Sequence, residues 1–201
     1  MIEVIDNALP ESIINKLSQK VVDKTFPWYI GDDIDKSKIN NENLAPGICI
    51  DKNTIPTFQF YHKLYRIFDT PKINSSLFNF FNNPILDFLE SKKIGGQLYK
   101  SKLNLLTNLH NLKSNNLYNV PHIDVSLPHL SILLYLNNSD GDTTFFNERY
   151  KDDEIRPKSL SIKKTVSPKI NRMVISDGYY HTSSNPINTD YRIVFNTVLL
   201  T

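Results

Sequence analysis

The chain has 201 residues, 40% of them apolar, with eleven phenylalanines and a formal net charge of +2. Such a composition is that of one globular domain with a sizeable core, not of a disordered chain. The near-neutral charge argues against the basic footprint of nucleic-acid binders, and a single cysteine, Cys49, excludes an internal disulfide framework.

The opening MIEVIDNALP carries acids where a secretory leader carries a basic run and an apolar stretch. No long uncharged apolar segment follows, so no membrane partner is expected and the expected location is the cytoplasm. Cys49, in PGICI, reads as a small buried residue rather than a nucleophile.

A helix comes first. Pro10 suits a first turn, and Ile13, Ile14, Leu17, Val21 and Val22 recur at helical spacing. Trp28, in FPWYI, reads as an aromatic that packs the cap. Residues 31–47 read as a long polar loop. TFQFYHKLYRIF (57–68) supports two readings: Phe58, Phe60 and His62 alternate as in a strand, whereas Tyr61, Leu64, Tyr65 and Phe68 step as in a helix. A further helix is expected from Ser76 to Ser91, broken near Pro84, with Phe81, Ile85, Phe88 and Leu89 as its apolar stripe. Gly95 and Gly96 end this mainly helical half.

From Gln97 onward the texture changes to short strands: QLYKSKLNLLTNL, LPHLSILLYLN, TTFFNE, SLSIKKTVSP, NRMVISD and YRIVFNTVLL. Turn-forming SNN, NNSDGD, SPK, DG and NPINTD separate them. Lys151 to Arg172, basic but interrupted by Asp152, Asp153 and Glu154, reads as solvated loop and strand. Strands at this spacing without intervening helices argue for an antiparallel barrel or jelly roll. The expected class is α+β with a mainly β core: a cupin-like jelly roll, or double-stranded β-helix, with N-terminal helices packed on one sheet. A single domain is expected, 1–96 forming a helical support region and 97–201 the jelly-roll core.

Within VPHIDVSLPH, His122 and Asp124 stand two positions apart. On a strand, residues i and i+2 point the same way with α-carbons roughly 6.5 Å apart. Two such side chains can converge on one ion, since each metal–ligand bond is only about 2 Å long. A third ligand is required from another strand, and His181 is the candidate. Two imidazoles and a carboxylate on one face of a metal form the facial triad of non-haem Fe(II) oxygenases. Eleven positions after His181, Arg192 sits in an otherwise apolar strand. A buried guanidinium is expensive unless paired, and a bound dicarboxylate would satisfy it through a bidentate fork. His62, His110 and His129 read as structural or surface residues.

The pattern of His-x-Asp, a distant His and then Arg resembles the Fe(II)/2-oxoglutarate-dependent dioxygenases. The flanking text is similar to their prolyl 4-hydroxylase-like branch: PHIDVS, SILLYLN, GDTTFF as a G-x-T-x-F strand, and SPKINRMVISDGYYHTSS. The resemblance spans Gln97 to Leu200. It implies His122, Asp124 and His181 as iron ligands, and Arg192 on the distal carboxylate of 2-oxoglutarate. Tyr135 would assist that carboxylate, and Asn196 would stand where a small hydroxyl residue is frequent. Asn108 falls where the branch often has a second tyrosine, and is expected near the inner end of the cosubstrate.

The implied cofactors are Fe(II), 2-oxoglutarate as cosubstrate, and dioxygen, with ascorbate in support. The implied reaction is hydroxylation of a C–H bond in a peptidyl or free amino acid, proline among the candidates, with release of succinate and carbon dioxide. Asp124 favours hydroxylation, since related halogenases lack that carboxylate. Two other readings compete. A non-catalytic, cupin-like metal-binding module would have no use for Arg192. A nucleic-acid demethylase of the AlkB kind would carry a second arginine where this chain has Val198. The polar stretches 31–56 and 110–120 are candidate lids, and nothing in the sequence bears on oligomeric state.

Overall fold

The computed structural model describes residues 1–32, 47–55, 57–67, 69–109, 117–149, 157 and 159–201. In chain order the elements are β1 (Ile2–Ile5), α1 (Glu11–Val22), β2 (Tyr29–Asp32), β3 (Phe58–Ile67), β4 (Pro71–Ile73), α2 (Phe78–Ser91), β5 (Gln97–Thr107), β6 (His129–Tyr135), β7 (Thr143–Arg149), β8 (Ile162–Val166), β9 (Met173–Asp177), β10 (Tyr179–Ser183) and β11 (Tyr191–Leu200).

The larger sheet has the order β1-β9-β6-β11-β5-β3-β2, with β4 paired to β3, and the smaller has the order β10-β7-β8. Every pairing between these strands is antiparallel. This is the mainly β jelly-roll class expected from the spacing of the short strands. Neither helix is long and apolar enough to cross a membrane.

The helices cover one face of the larger sheet. Ile14, Leu17 and Val21 of α1 and Phe81, Ile85 and Leu89 of α2 form one core with Leu64, Leu103, Ile132, Leu134 and Phe195. Trp28 packs against that core and donates from Nε1 to the Val21 carbonyl, as expected of a cap-packing aromatic. Between the sheets lies a second core, in which Leu133, Tyr135, Val174 and Val194 meet Phe145, Val166 and Tyr179.

Two expectations about the first half need correction. The region is as much strand as helix, because β1, β2, β3 and β4 all join the larger sheet. Within the ambiguous stretch 57–68, Phe58–Ile67 is strand β3, and its mixed periodicity has a local cause. The β3–β5 register slips between Lys63 and Tyr65, so Leu64 is a bulge. A bulge turns consecutive side chains toward the same side, which imitates a helical step. Leu64 joins the helix-side core while Tyr65 meets the Phe78 ring of α2.

Helix α2 also runs unbroken through Pro84. A mid-helix proline costs about 3 kcal/mol. Phe81, Ile85 and Leu89 are all buried on the sheet, at about 1.5–3 kcal/mol each, which outweighs that penalty. His62 is structural as expected, its ring nitrogens on the Pro27 carbonyl and the Ser75 hydroxyl.

Most of the 31–56 and 110–120 stretches, with His110 and residues 150–156, lie outside the described residues.

Candidate metal centre

The cleft-facing row of β5 is set by strand alternation. Ser101 and Leu103 are buried on the opposite face, whereas Lys100, Lys102, Asn104 and Leu106 line a cavity of about 460 Å3. Both sheets contribute to it: Leu133, Arg192, Val194 and Asn196 from the larger, Thr143, His181, Thr182 and Ser183 from the smaller. His122 and Asp124 lie between β5 and β6 rather than on a named strand. An isolated antiparallel bridge still fixes them, because His122 and His181 exchange both backbone hydrogen bonds at 2.9 Å.

That bridge brings the three sequence-derived ligands together. One ligand atom from each of His122, Asp124 and His181 lies within 4.8 Å of the others. The Nδ1 of His122 sits 2.9 Å from the Val120 carbonyl, and that of His181 3.0 Å from the Tyr179 carbonyl. A carbonyl only accepts, so each Nδ1 carries the proton and each Nε2 presents a lone pair. Burial is the main cause that pulls His122 down to about 4 and lowers His181, so both imidazoles are neutral near pH 7.

Asp124 is ionised. Burial raises its pKa, but the Lys100 ammonium and the two histidines more than offset this and hold it well below the usual carboxylate range. Its Oδ2 lies 3.5 Å from His181 Nε2. Three inward-facing acceptors with no proton between them repel one another until a cation sits among them. Two imidazoles and one carboxylate suit a first-row divalent ion such as Fe(II) and leave coordination positions for other ligands. The donor set therefore fits the implied metal.

The carboxylate is held from behind. Lys100 Nζ lies 2.7 Å from Asp124 Oδ1 and 2.9 Å from the Asp124 backbone carbonyl. Asn196 Nδ2 reaches the same Oδ1 at 3.5 Å, while the Ser131 hydroxyl donates to Oδ2.

Arg192, 3% exposed, also lines the cavity. Its Nη2 donates to Thr143 Oγ1 at 2.7 Å, and its guanidinium carbon stands 5.5 Å from the centre of the Tyr135 ring. Tyr135 donates its hydroxyl to the same Thr143 oxygen at 2.7 Å. Having accepted twice, Thr143 keeps its own proton to donate. Gly141 makes room for this arrangement: a Cβ there would lie 3.1 Å from Arg192 Cδ and 2.6 Å from the Ser184 carbonyl.

The remaining sequence-derived residues divide. Asn196 lines the cavity beside Asp124, with its Oδ1 buried and without a hydrogen-bond partner among the described residues. Tyr135 is fully buried behind Thr143 and is not part of the lining. Asn108 is not among the residues that line the cavity. Its amide donates to the Ile187 carbonyl at 2.6 Å and to that of Thr189 at 3.4 Å, so it braces a loop at the end of β5. His129 is buried, with Nδ1 on the Leu127 carbonyl, away from this cavity. Cys49 is a buried core residue against Tyr118, Phe146 and Tyr180.

No protein-family description and no curated protein matches the sequence. Solved structures match the fold. The epimerase SnoN in complex with Fe3+, alpha ketoglutarate and nogalamycin RO is 12% identical, over 99% of this chain and 78% of its own, with a TM-score of 0.60. A prolyl hydroxylase from Trichoplax adhaerens, in complex with a hypoxia inducible factor peptide, is 12% identical over 99% of this chain and 83% of its own, with a TM-score of 0.57. A 2OG-Fe(II) oxygenase family oxidoreductase from Burkholderia pseudomallei is 8% identical over 98% and 85%, with a TM-score of 0.58.

The chain has the double-stranded β-helix of these oxygenases. Within it, two residues of the site escape a motif-led reading. Thr143 is the first threonine of GDTTFF, a strand pattern that assigns it no role by itself. Lys100 begins the alternation Lys100, Lys102, Asn104 in KSKLN, whose polar row faces the cavity while Ser101 and Leu103 point to the opposite, buried face. A strand whose polar row faces a cleft has the same period as one whose polar row faces water.

Proposed function

We propose that this chain is an Fe(II)- and 2-oxoglutarate-dependent dioxygenase, similar to the prolyl 4-hydroxylase-like branch, that hydroxylates an unactivated C–H bond. One observation carries the reading. Three acceptors, from His122, Asp124 and His181, converge in the cavity that Arg192 also lines.

In this reading His122, Asp124 and His181 hold iron, with the Val120 and Tyr179 carbonyls fixing the tautomers of the imidazoles. Arg192 and the Thr143 hydroxyl take the distal carboxylate of 2-oxoglutarate. Tyr135 serves from behind, by orienting Thr143. Asn196 steadies Asp124 and has a carbonyl oxygen to offer a ligand. Leu106, Val120, Leu133 and Val194 give the cavity apolar walls that limit water. Iron with 2-oxoglutarate and dioxygen supplies oxidative hydroxylation, releasing succinate and carbon dioxide, with ascorbate in support.

The substrate proposed is a peptidyl or free amino acid, proline first among them. The peptide bound to the Trichoplax enzyme supports the peptidyl option. Lys102 and Arg66 on the cavity wall suit a substrate carboxylate. A cytoplasmic location belongs to the same reading.

The test is conversion of 2-oxoglutarate to succinate by purified protein with Fe(II) and ascorbate in air, alone and with proline-containing peptides and free amino acids. The reading expects Fe(II)-dependent succinate that disappears in His181→Ala. Metal binding with no succinate under any condition would favour the non-catalytic metal module instead.

A further inference from the structure

We propose that Lys100 is a positioning residue that keeps the bound iron ferrous by fixing and polarising its carboxylate ligand. The inference rests on the iron-site reading above. The lysine is placed by the sheet itself: on β5 it pairs with Arg66 of β3 on one side and Val198 of β11 on the other. From there its side chain, 18% exposed, grips Asp124 twice, with the ammonium 2.7 Å from Oδ1 and 2.9 Å from the backbone carbonyl.

Two consequences follow. The grip engages Oδ1, while Oδ2, the oxygen nearer His181, accepts from the Ser131 hydroxyl and keeps a lone pair for the metal. Asp124 therefore acts as a one-oxygen ligand whose rotamer is set before any ion arrives. The ammonium also draws electron density from the carboxylate. Hydrogen bonding around a ligand and nearby charge are established levers on a metal's potential. A cation at this position opposes the extra positive charge of ferric iron more than that of ferrous iron, so it raises the Fe(III)/Fe(II) potential.

The experiment is an anaerobic, mediator-coupled redox titration of iron-loaded protein without 2-oxoglutarate, following the ferric electron-paramagnetic-resonance signal. Wild type is compared with Lys100→Met, Lys100→Gln and Lys100→Arg. The neutral variants are expected to bind iron one-to-one and to show an at least tenfold higher ferric-to-ferrous ratio at a fixed poise, a fall of about 59 mV for one electron. Lys100→Arg should stay within about twofold of wild type. An unchanged potential in the neutral variants, an equal fall in Lys100→Arg, or loss of iron from both neutral variants overturns the inference. A wild-type protein that takes up no iron overturns instead the reading on which it rests.

Discussion

Asp124 Oδ2 and His181 Nε2 face each other 3.5 Å apart, and both are acceptors, because His181 Nδ1 is committed to the Tyr179 carbonyl. Such a contact is favourable only around a cation. Asp124→Ala or His181→Ala should weaken divalent-metal binding by more than about 100-fold, beyond the 10–100-fold typical of outer-shell changes. Calorimetric titration with Mn(II) measures this. Unchanged affinity in either variant would show that the three side chains do not share an ion.

The same burial makes the metal-free protein sensitive to acid. His122 is lowered from 6.5 to about 4, and His181 is lowered as well. Between those values the unfolded chain binds protons that the folded chain does not, so stability rises with pH across this window. It is lost as pH falls from about 6.5 to about 4, by about 3 kcal/mol for His122. Asp124 behaves differently: its lowered pKa stabilises the fold above the unfolded carboxylate value, and that contribution disappears only at more acidic pH. Urea denaturation at about pH 4.5 and about pH 7 measures the histidine part. Equal stability at the two values would contradict it.

Arg192, from its burial and the resemblance, and Asn108, from the resemblance alone, are both expected near 2-oxoglutarate, yet they should behave oppositely. Arg192→Met removes the buried cation of the cavity and Thr143→Val the hydroxyl it holds. Each should weaken 2-oxoglutarate binding by about 10–100-fold, the worth of a charge-assisted hydrogen bond, with metal affinity retained. Asn108→Ala should lose about 1 kcal/mol of stability through its loop contacts and leave 2-oxoglutarate affinity unchanged. Thermal-shift titrations with 2-oxoglutarate separate these outcomes.

The convergence of His122, Asp124 and His181 on the cavity that Arg192 lines was legible because metal and dicarboxylate chemistry restricts residue type, and their spacing survives whatever loops intervene. The fold of the second half was legible because turn residues punctuate its strands. The rest was hidden for local reasons. The Leu64 bulge disguised β3, since one extra residue breaks the period on which a strand is recognised. Pro84 signals a helix end, and only tertiary burial of Phe81, Ile85 and Leu89 overrides it. Lys100 faces Asp124, which lies 24 residues away, a partner that no period or local motif announces. The resemblance sets Asn108 where a second tyrosine is frequent, yet its short amide finds a loop carbonyl within reach.

Helix α2 offers a check on that account of Pro84. Pro84→Ala restores a backbone donor and relieves the ring, and should stabilise the protein by about 1–3 kcal/mol. Phe81→Ala removes a fully buried ring stacked 6.4 Å from Phe195 and should cost about 3–5 kcal/mol. Urea midpoints give both. A destabilising Pro84→Ala would mean that the helix is adapted to its proline.

The most direct measurement is anaerobic calorimetric binding of 2-oxoglutarate with and without Fe(II). The account expects one-to-one binding that requires the metal, vanishes in His181→Ala and is strongly weakened in Arg192→Met. Binding indifferent to metal, or no binding at all, would contradict it.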